Sequence, residues 1–195
     1  MITANQQRMG RLGTACCIAA LAAGCAPVLG PPPVTVSVAA PAQVAPAGSL
    51  DATERALMSR LATGGLYEIE VSRLASDRAT DPRVRSYAQA MASHDAEAHR
   101  ALAELMRAKG VPMPTGLPAD KATKLHRLSQ LKPSPNFDIG YVRVVGVEDH
   151  LATLRIFERA QREARDRDLQ AWIARTLPVV RADLAAARKL TGVLG

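Results

Sequence analysis

"DPRVRSYAQAMASHDAEAHRALAELMRAKG", Asp81 to Gly110, decides the fold class. Asp81 can accept from the first free backbone N–H groups of a helix, and Pro82 suits the first helical position, where a missing N–H costs nothing. Gly110, just past Lys109, can adopt the left-handed conformation that ends a helix, and Pro112 and Pro114 block continuation. Between these signals Val84, Tyr87, Ala88, Met91, Ala98, Leu102 and Leu105 recur at helical spacing. The stretch is predicted to be one long amphipathic helix.

The same punctuation works outward. Upstream, Asp51 and Glu54 form a capping-box pattern, followed by Leu57, Leu61, Gly65, Glu68, Ser72 and Ala75 on one face. Gly64 and Gly65 weaken that helix by about 1 kcal/mol each, so they either kink it or admit a close neighbour. Downstream, Leu117–Pro133 reads as a short connecting helix. Asn136–Ala164 reads as a third long helix capped by Asn136. Asp168–Gly192 reads as a fourth, with Pro178 expected to kink it and Gly192 to end it. No β-branched alternating run of any length occurs. The prediction is all-α: a four-helix bundle with one short extra helix, residues 50–192.

Each long helix places an ionisable group near its apolar face. They are Glu68 on the first, His94 and Asp95 on the second, His150 on the third and Asp183 on the fourth. At 100° per residue, Glu97 and His99 fall outward. Buried charges are normally paired or metal-bound. Glu68, Asp95, His150 and Asp183, with His94 as alternate, are therefore candidate ligands for a divalent metal ion: iron, manganese or zinc. The competing reading is structural: Glu68 and Asp183 stay half-exposed or pair with Arg73 or Arg181. No Glu-x-x-His repeat of the di-iron type is present.

The first fifty residues speak of location. Arg8 and Arg11 precede a short apolar run, Leu12 to Ala23, which is too short to span a bilayer and reads as a secretory signal peptide, residues 1–24. "LAAGC" resembles a bacterial lipobox and makes Cys25 the expected lipidation site. An ordinary cut near Ala23 or Ala26 would instead leave Cys25 free. Residues 25–49 are rich in Pro, Ala and Val, carry no charge and read as a tether. Every cysteine precedes the helical region, so no disulfide framework supports it.

Formal charge is +7, or about +5 once Arg8 and Arg11 leave with the leader. Basic residues interleave with acids in "FERAQREARDRD", where Glu158–Arg162 and Glu163–Arg167 have i, i+4 spacing. Aromatics are 3% of the chain, too few for base stacking, and nucleic acid is not expected as a partner.

"GGLYEIEVSRLASDRATDPRVRSYAQAMASHDAEAHRALAEL", with "NFDIGYV", "DHLATLRIFERA" and "ARTLPVVRADL", resembles the domain of unknown function 4142 family from Leu50 to Leu190. The resemblance implies an exported bacterial protein, often a lipoprotein, with a ferritin-like four-helix fold. It implies functional positions at Glu68 and His150. It also marks departures: Asp95 and Asp183 stand where the family tends to have His. Tyr141 to His150 is one residue longer than the family spacing implies, which points to a bulge in the third helix.

The expected function is a non-enzymatic, membrane-anchored envelope lipoprotein facing the periplasm. Ala26 after the lipidated Cys favours the outer membrane. Its helical module would bind an envelope protein or cell-wall component or support stress tolerance. The alternative is a ferritin-like metal-binding protein using the inward residues named above.

Overall fold

A computed structural model of the chain describes residues 50–194. The expected leader, Cys25 and the tether lie outside the described residues. The described part is all-helical: α1 Ala52–Arg78, α2 Pro82–Ala108, α3 Ala119–Ser129, α4 Pro135–Tyr141, a π-helical segment Val142–Asp149, α5 His150–Glu163 and α6 Arg167–Leu194. Because α4, the π segment and α5 run on without a break, they form one rod. The result is a helical bundle of four long rods with α3 on its flank. α1 packs on α2, α2 on α6, and α6 on both the π segment and α5, while α3 rests on α1.

The caps read from the sequence form as drawn. Glu54 N donates to Asp51 Oδ1 at 2.8 Å and Asp51 N donates back to Glu54 Oε2 at 3.1 Å. Asp81 accepts from Arg83 N, with Pro82 at the first position. Gly110 has φ +65°, the left-handed turn its place required. Two boundaries and two ion pairs differ from expectation. Ser134, not Asn136, caps the third rod, because Pro135 fills the first helical position and Phe137 N donates to Ser134 Oγ. α6 runs past Gly192 to Leu194. The expected pairs Glu158–Arg162 and Glu163–Arg167 do not form. The helix breaks between Glu163 and Arg167, and Arg159 meets Glu163 while Arg181 meets Glu158 across the α5–α6 seam.

Two apolar clusters fill the interior. One, near Leu50, contains Met58, Leu61, Leu102, Met106, Phe157, Leu169, Trp172 and Leu177. The other contains Tyr67, Val71, Val84, Tyr87, Met91, Phe137, Tyr141, Val145 and Leu190. On every rod a polar residue stands at the junction of the two: Glu68 beside Tyr67, Asp95 between Met91 and Leu102, His150 between Val145 and Phe157, Asp183 between Val180 and Ala187. The bundle thus carries a polar layer across its middle.

The glycines differ in what surrounds them. A Cβ at Gly64 would meet nothing within 4 Å, whereas one at Gly146 would sit 3.0 Å from Ala187 Cβ and 3.1 Å from the Tyr87 hydroxyl. Gly64→Ala should therefore stabilise the fold by about 1 kcal/mol. Gly146→Ala should destabilise it by about 1–2 kcal/mol through overpacking of the π segment on α6. Urea unfolding of both variants measures the difference.

Candidate functional site

Glu68 from α1, Asp95 from α2 and His150 from the third rod line one cavity of about 60 Å³. Its walls include Leu61, Leu102, Ile156, Phe157, Trp172 and Val180. A cavity of this size has room for an ion and a few waters. Glu68 is 5% exposed and His150 2% exposed. Asp95 is half-buried as a residue, yet its Oδ2 is out of water. Among the described residues, Glu68 Oε2 and Asp95 Oδ2 are the buried side-chain oxygens without a hydrogen-bond partner. Such atoms are rare in folded proteins, because each loses its hydration without replacement.

The electrostatics follow from that burial. Burial, then the charges of Asp95 and Asp149, pushes the Glu68 carboxyl well above the ordinary range, and Lys121 and Lys124 oppose the shift. Burial, then Asp183, pushes Asp95 up to about 7. Burial lowers His150 and holds its ring neutral. His150 Nδ1 lies 3.1 Å from the Val145 carbonyl, which accepts only from a protonated Nδ1. The neutral ring therefore keeps its lone pair on Nε2. The π segment makes this placement possible: its extra residue turns His150 inward directly after Asp149. The bulge expected between Tyr141 and His150 is present as this π segment.

The expected common ligand set is divided. Asp183 is buried but does not line the cavity. Its Oδ1 lies 2.9 Å from Nδ1 of His94, whose ring is 45% exposed. His94 is thus a surface partner of Asp183. Neither Glu68 nor Asp183 pairs with Arg73 or Arg181, which meet Glu70 and Glu158. Among the described residues, no three His, Cys, Asp or Glu side chains stand close enough to hold a metal ion as they are placed.

His99 is the residue the helical wheel misplaced. It is half-buried and lines the cavity, one turn after Asp95. A Cβ at Gly65 would lie 3.3 Å from His99 Cδ2, so the glycine is what lets the imidazole pack against α1. The signal was available in the sequence: Asp95 and His99 are i, i+4 neighbours, and Gly65 marks a close approach.

The rest of the polar layer is satisfied. Tyr141 donates to Ser72 Oγ at 3.0 Å and Tyr87 donates to the Asp183 carbonyl at 3.4 Å. Tyr67 OH lies 3.5 Å from Asp149 Oδ2, and Lys124 Nζ pairs with Asp149 Oδ1 at 2.6 Å. Lys121 Nζ sits 4.5 Å above the Tyr67 ring. α3 is thereby attached above Tyr67 and Asp149.

The position of Asp95 has a measurable consequence. Its folded pKa of about 7 exceeds the unfolded value near 3.9, so the native state binds more protons between these pH values. Stability then falls as pH rises through that window and levels off above it. Asp95→Asn, which mimics the protonated acid, should match the parent near pH 4 and exceed its stability by about 2–4 kcal/mol at pH 8. Urea unfolding in chelator at both pH values tests this.

Solved structures share the fold, two DUF305 proteins among them. A DUF305 fragment from Deinococcus radiodurans superposes with a TM-score of 0.65 at 12% identity, covering 74% of this chain and 98% of that one. A DUF305 protein from Streptomyces coelicolor, whose description includes secretion, gives 0.61 at 14% identity, covering 72% and 92%. Such low identity establishes the helical fold alone. Among curated proteins none matches the sequence. The family model described as domain of unknown function (DUF4142) matches residues 39–190, and the chain belongs to that family.

Proposed function

We propose that this chain is an exported cell-envelope lipoprotein whose helical domain is a non-enzymatic metal-binding module. Cys25 carries the lipid, residues 25–49 tether the domain, and the periplasmic face of the outer membrane is its location. Support for export comes from the leader pattern and from the secretion noted for the Streptomyces coelicolor relative in fold. No helix of the described residues is long and apolar enough to cross a membrane.

Metal binding rests on one observation: two buried carboxylate oxygens, on neighbouring rods around one cavity, have no hydrogen-bond partner. A divalent cation would satisfy both and displace the protons that burial places there. His150 offers an imidazole nitrogen, with its other nitrogen fixed by a backbone carbonyl as metal-ligating histidines require. The layout is ferritin-like in taking its donors from facing helices of a bundle. Glu68, Asp95 and His150 would hold the ion, and drawing them together needs side-chain rotation, because they do not converge as placed. Two carboxylates and one imidazole suit iron, manganese or zinc.

Equilibrium dialysis of the full chain carrying Cys25→Ser against Mn²⁺, Fe²⁺ and Zn²⁺ tests the reading. About one ion per chain is expected for at least one metal, and none for Glu68→Gln/Asp95→Asn. No uptake of any of the three by the parent ends the metal reading. Labelled palmitate should enter the parent in cells and not Cys25→Ser, and equal labelling would remove the proposed anchor.

A further inference from the structure

Arg60, Gly64, Gly65 and His99 form the rim of the cavity that Glu68, Asp95 and His150 line more deeply. Arg60 and Gly64 are i, i+4 neighbours on one face of α1. Arg60 is exposed, and a side chain at Gly64 would meet open space. Gly64, a lining residue of the cavity, thus leaves open space beside Arg60 where any other residue would place a side chain. Gly65, one residue on, receives His99. Burial lowers the His99 imidazole, with the Ala62 backbone opposing, so the ring favours its neutral, ligating form.

We propose that the cation reaches the interior across Gly64, past the charge of Arg60, and that His99 completes the site at its outer edge. This rests on the metal reading of the cavity and adds to it a route and a fourth donor. The two glycines then have separate roles: Gly64 holds the passage open and Gly65 seats the ligand. Arg60 opposes the incoming ion, since a guanidinium at the mouth raises the local potential a cation must cross. Thr153 and Thr176, which also line the cavity, supply hydroxyl groups for the waters the ion retains.

The test is Zn²⁺ uptake by the full chain carrying Cys25→Ser, followed in real time against a zinc-sensitive dye, with final stoichiometry measured by elemental analysis. Gly64→Leu replaces a helix glycine in open space, so it folds, and a thermal melt verifies this. It should slow uptake about tenfold with unchanged final occupancy. Arg60→Ala should speed uptake by about tenfold at low salt, with the gain shrinking as salt is added. His99→Ala should weaken zinc binding about 10- to 100-fold, and His94→Ala should leave it unchanged. Zinc bound by the parent, with Gly64→Leu and Arg60→Ala loading at the parent's rate, overturns the route. Equal weakening by His94→Ala and His99→Ala overturns the fourth donor. A parent that takes up no zinc, manganese or iron removes the metal reading itself, and this inference with it.

Discussion

The structure depends on the polar layer that cuts its core in two. A helical bundle gains most by joining its apolar residues into one core, and this chain interrupts that core on every long rod. Each buried carboxylate or imidazole in the layer must find a partner or lose several kcal/mol of hydration. Most of the layer meets that demand. Tyr141 reaches Ser72, Tyr87 reaches the Asp183 carbonyl, His94 reaches Asp183, and His150 reaches Val145. The shortfall is confined to Glu68 and Asp95. Two acids without hydrogen-bond partners carry a burial cost that a glutamine or asparagine, having no charge to bury, would reduce. That unmet demand is the observation on which the proposed metal site rests.

Holding four rods at matching heights requires fixed ends, and carboxylates supply them. Glu54 accepts from Asp51 N at the start of α1 and also from Arg165 N at 2.6 Å and Asp166 N at 2.8 Å, joining the start of α1 to the α5–α6 turn. Asp166 caps α6 through Leu169 N and pairs with Lys109 at the end of α2. At the opposite end Asp138 of α4 accepts from Thr80 N, Thr80 Oγ1 and Asp81 N, holding the third rod against the α1–α2 turn. Charge-assisted bonds to free helix-end N–H groups are among the stronger ones available to a protein. With both ends pinned, the π segment takes up the residue that would otherwise rotate His150 off the layer, and Gly146 lets it approach Ala187 and Tyr87.

What was legible in the sequence was what depends on neighbours along the chain. Asp51–Glu54, Asp81–Pro82 and Gly110 act locally, so helix ends could be placed from them. Apolar spacing showed which face of each helix turns inward, and Glu68, Asp95 and His150 follow from that face. Contacts between rods were not legible. Glu54 and Asp138 look like ordinary first-turn acids until the opposing turn is seen. His99 lies about 40° further round α2 than Asp95, too small an angle for a helical wheel to separate inside from outside. What brings it in is Gly65 on the other helix. The surface pairs failed for a related reason: spacing in "FERAQREARDRD" ignores the break after Glu163, beyond which Arg167 belongs to a different helix, and it ignores Arg181 of α6, which meets Glu158 across the seam.

The order of two adjacent residues accounts for the division between the cavity and its neighbouring pair. The resemblance to the family implies Asp then His in the middle of α2, and this chain has His94 then Asp95. One residue is 100° of helix, so the exchange puts a carboxylate where an imidazole would face the cavity. It also moves the imidazole to the surface side, where it meets Asp183, itself at a position where the resemblance implies His. With the imidazole at position 94, the carboxylate at 183 has a hydrogen-bonding partner 2.9 Å away. The cavity, however, becomes more acidic, because Asp183 still raises Asp95 from behind while Glu68 is raised by Asp95. An interior with fewer neutral nitrogens and more buried carboxylate oxygens favours a harder cation than an imidazole-rich version of the same bundle.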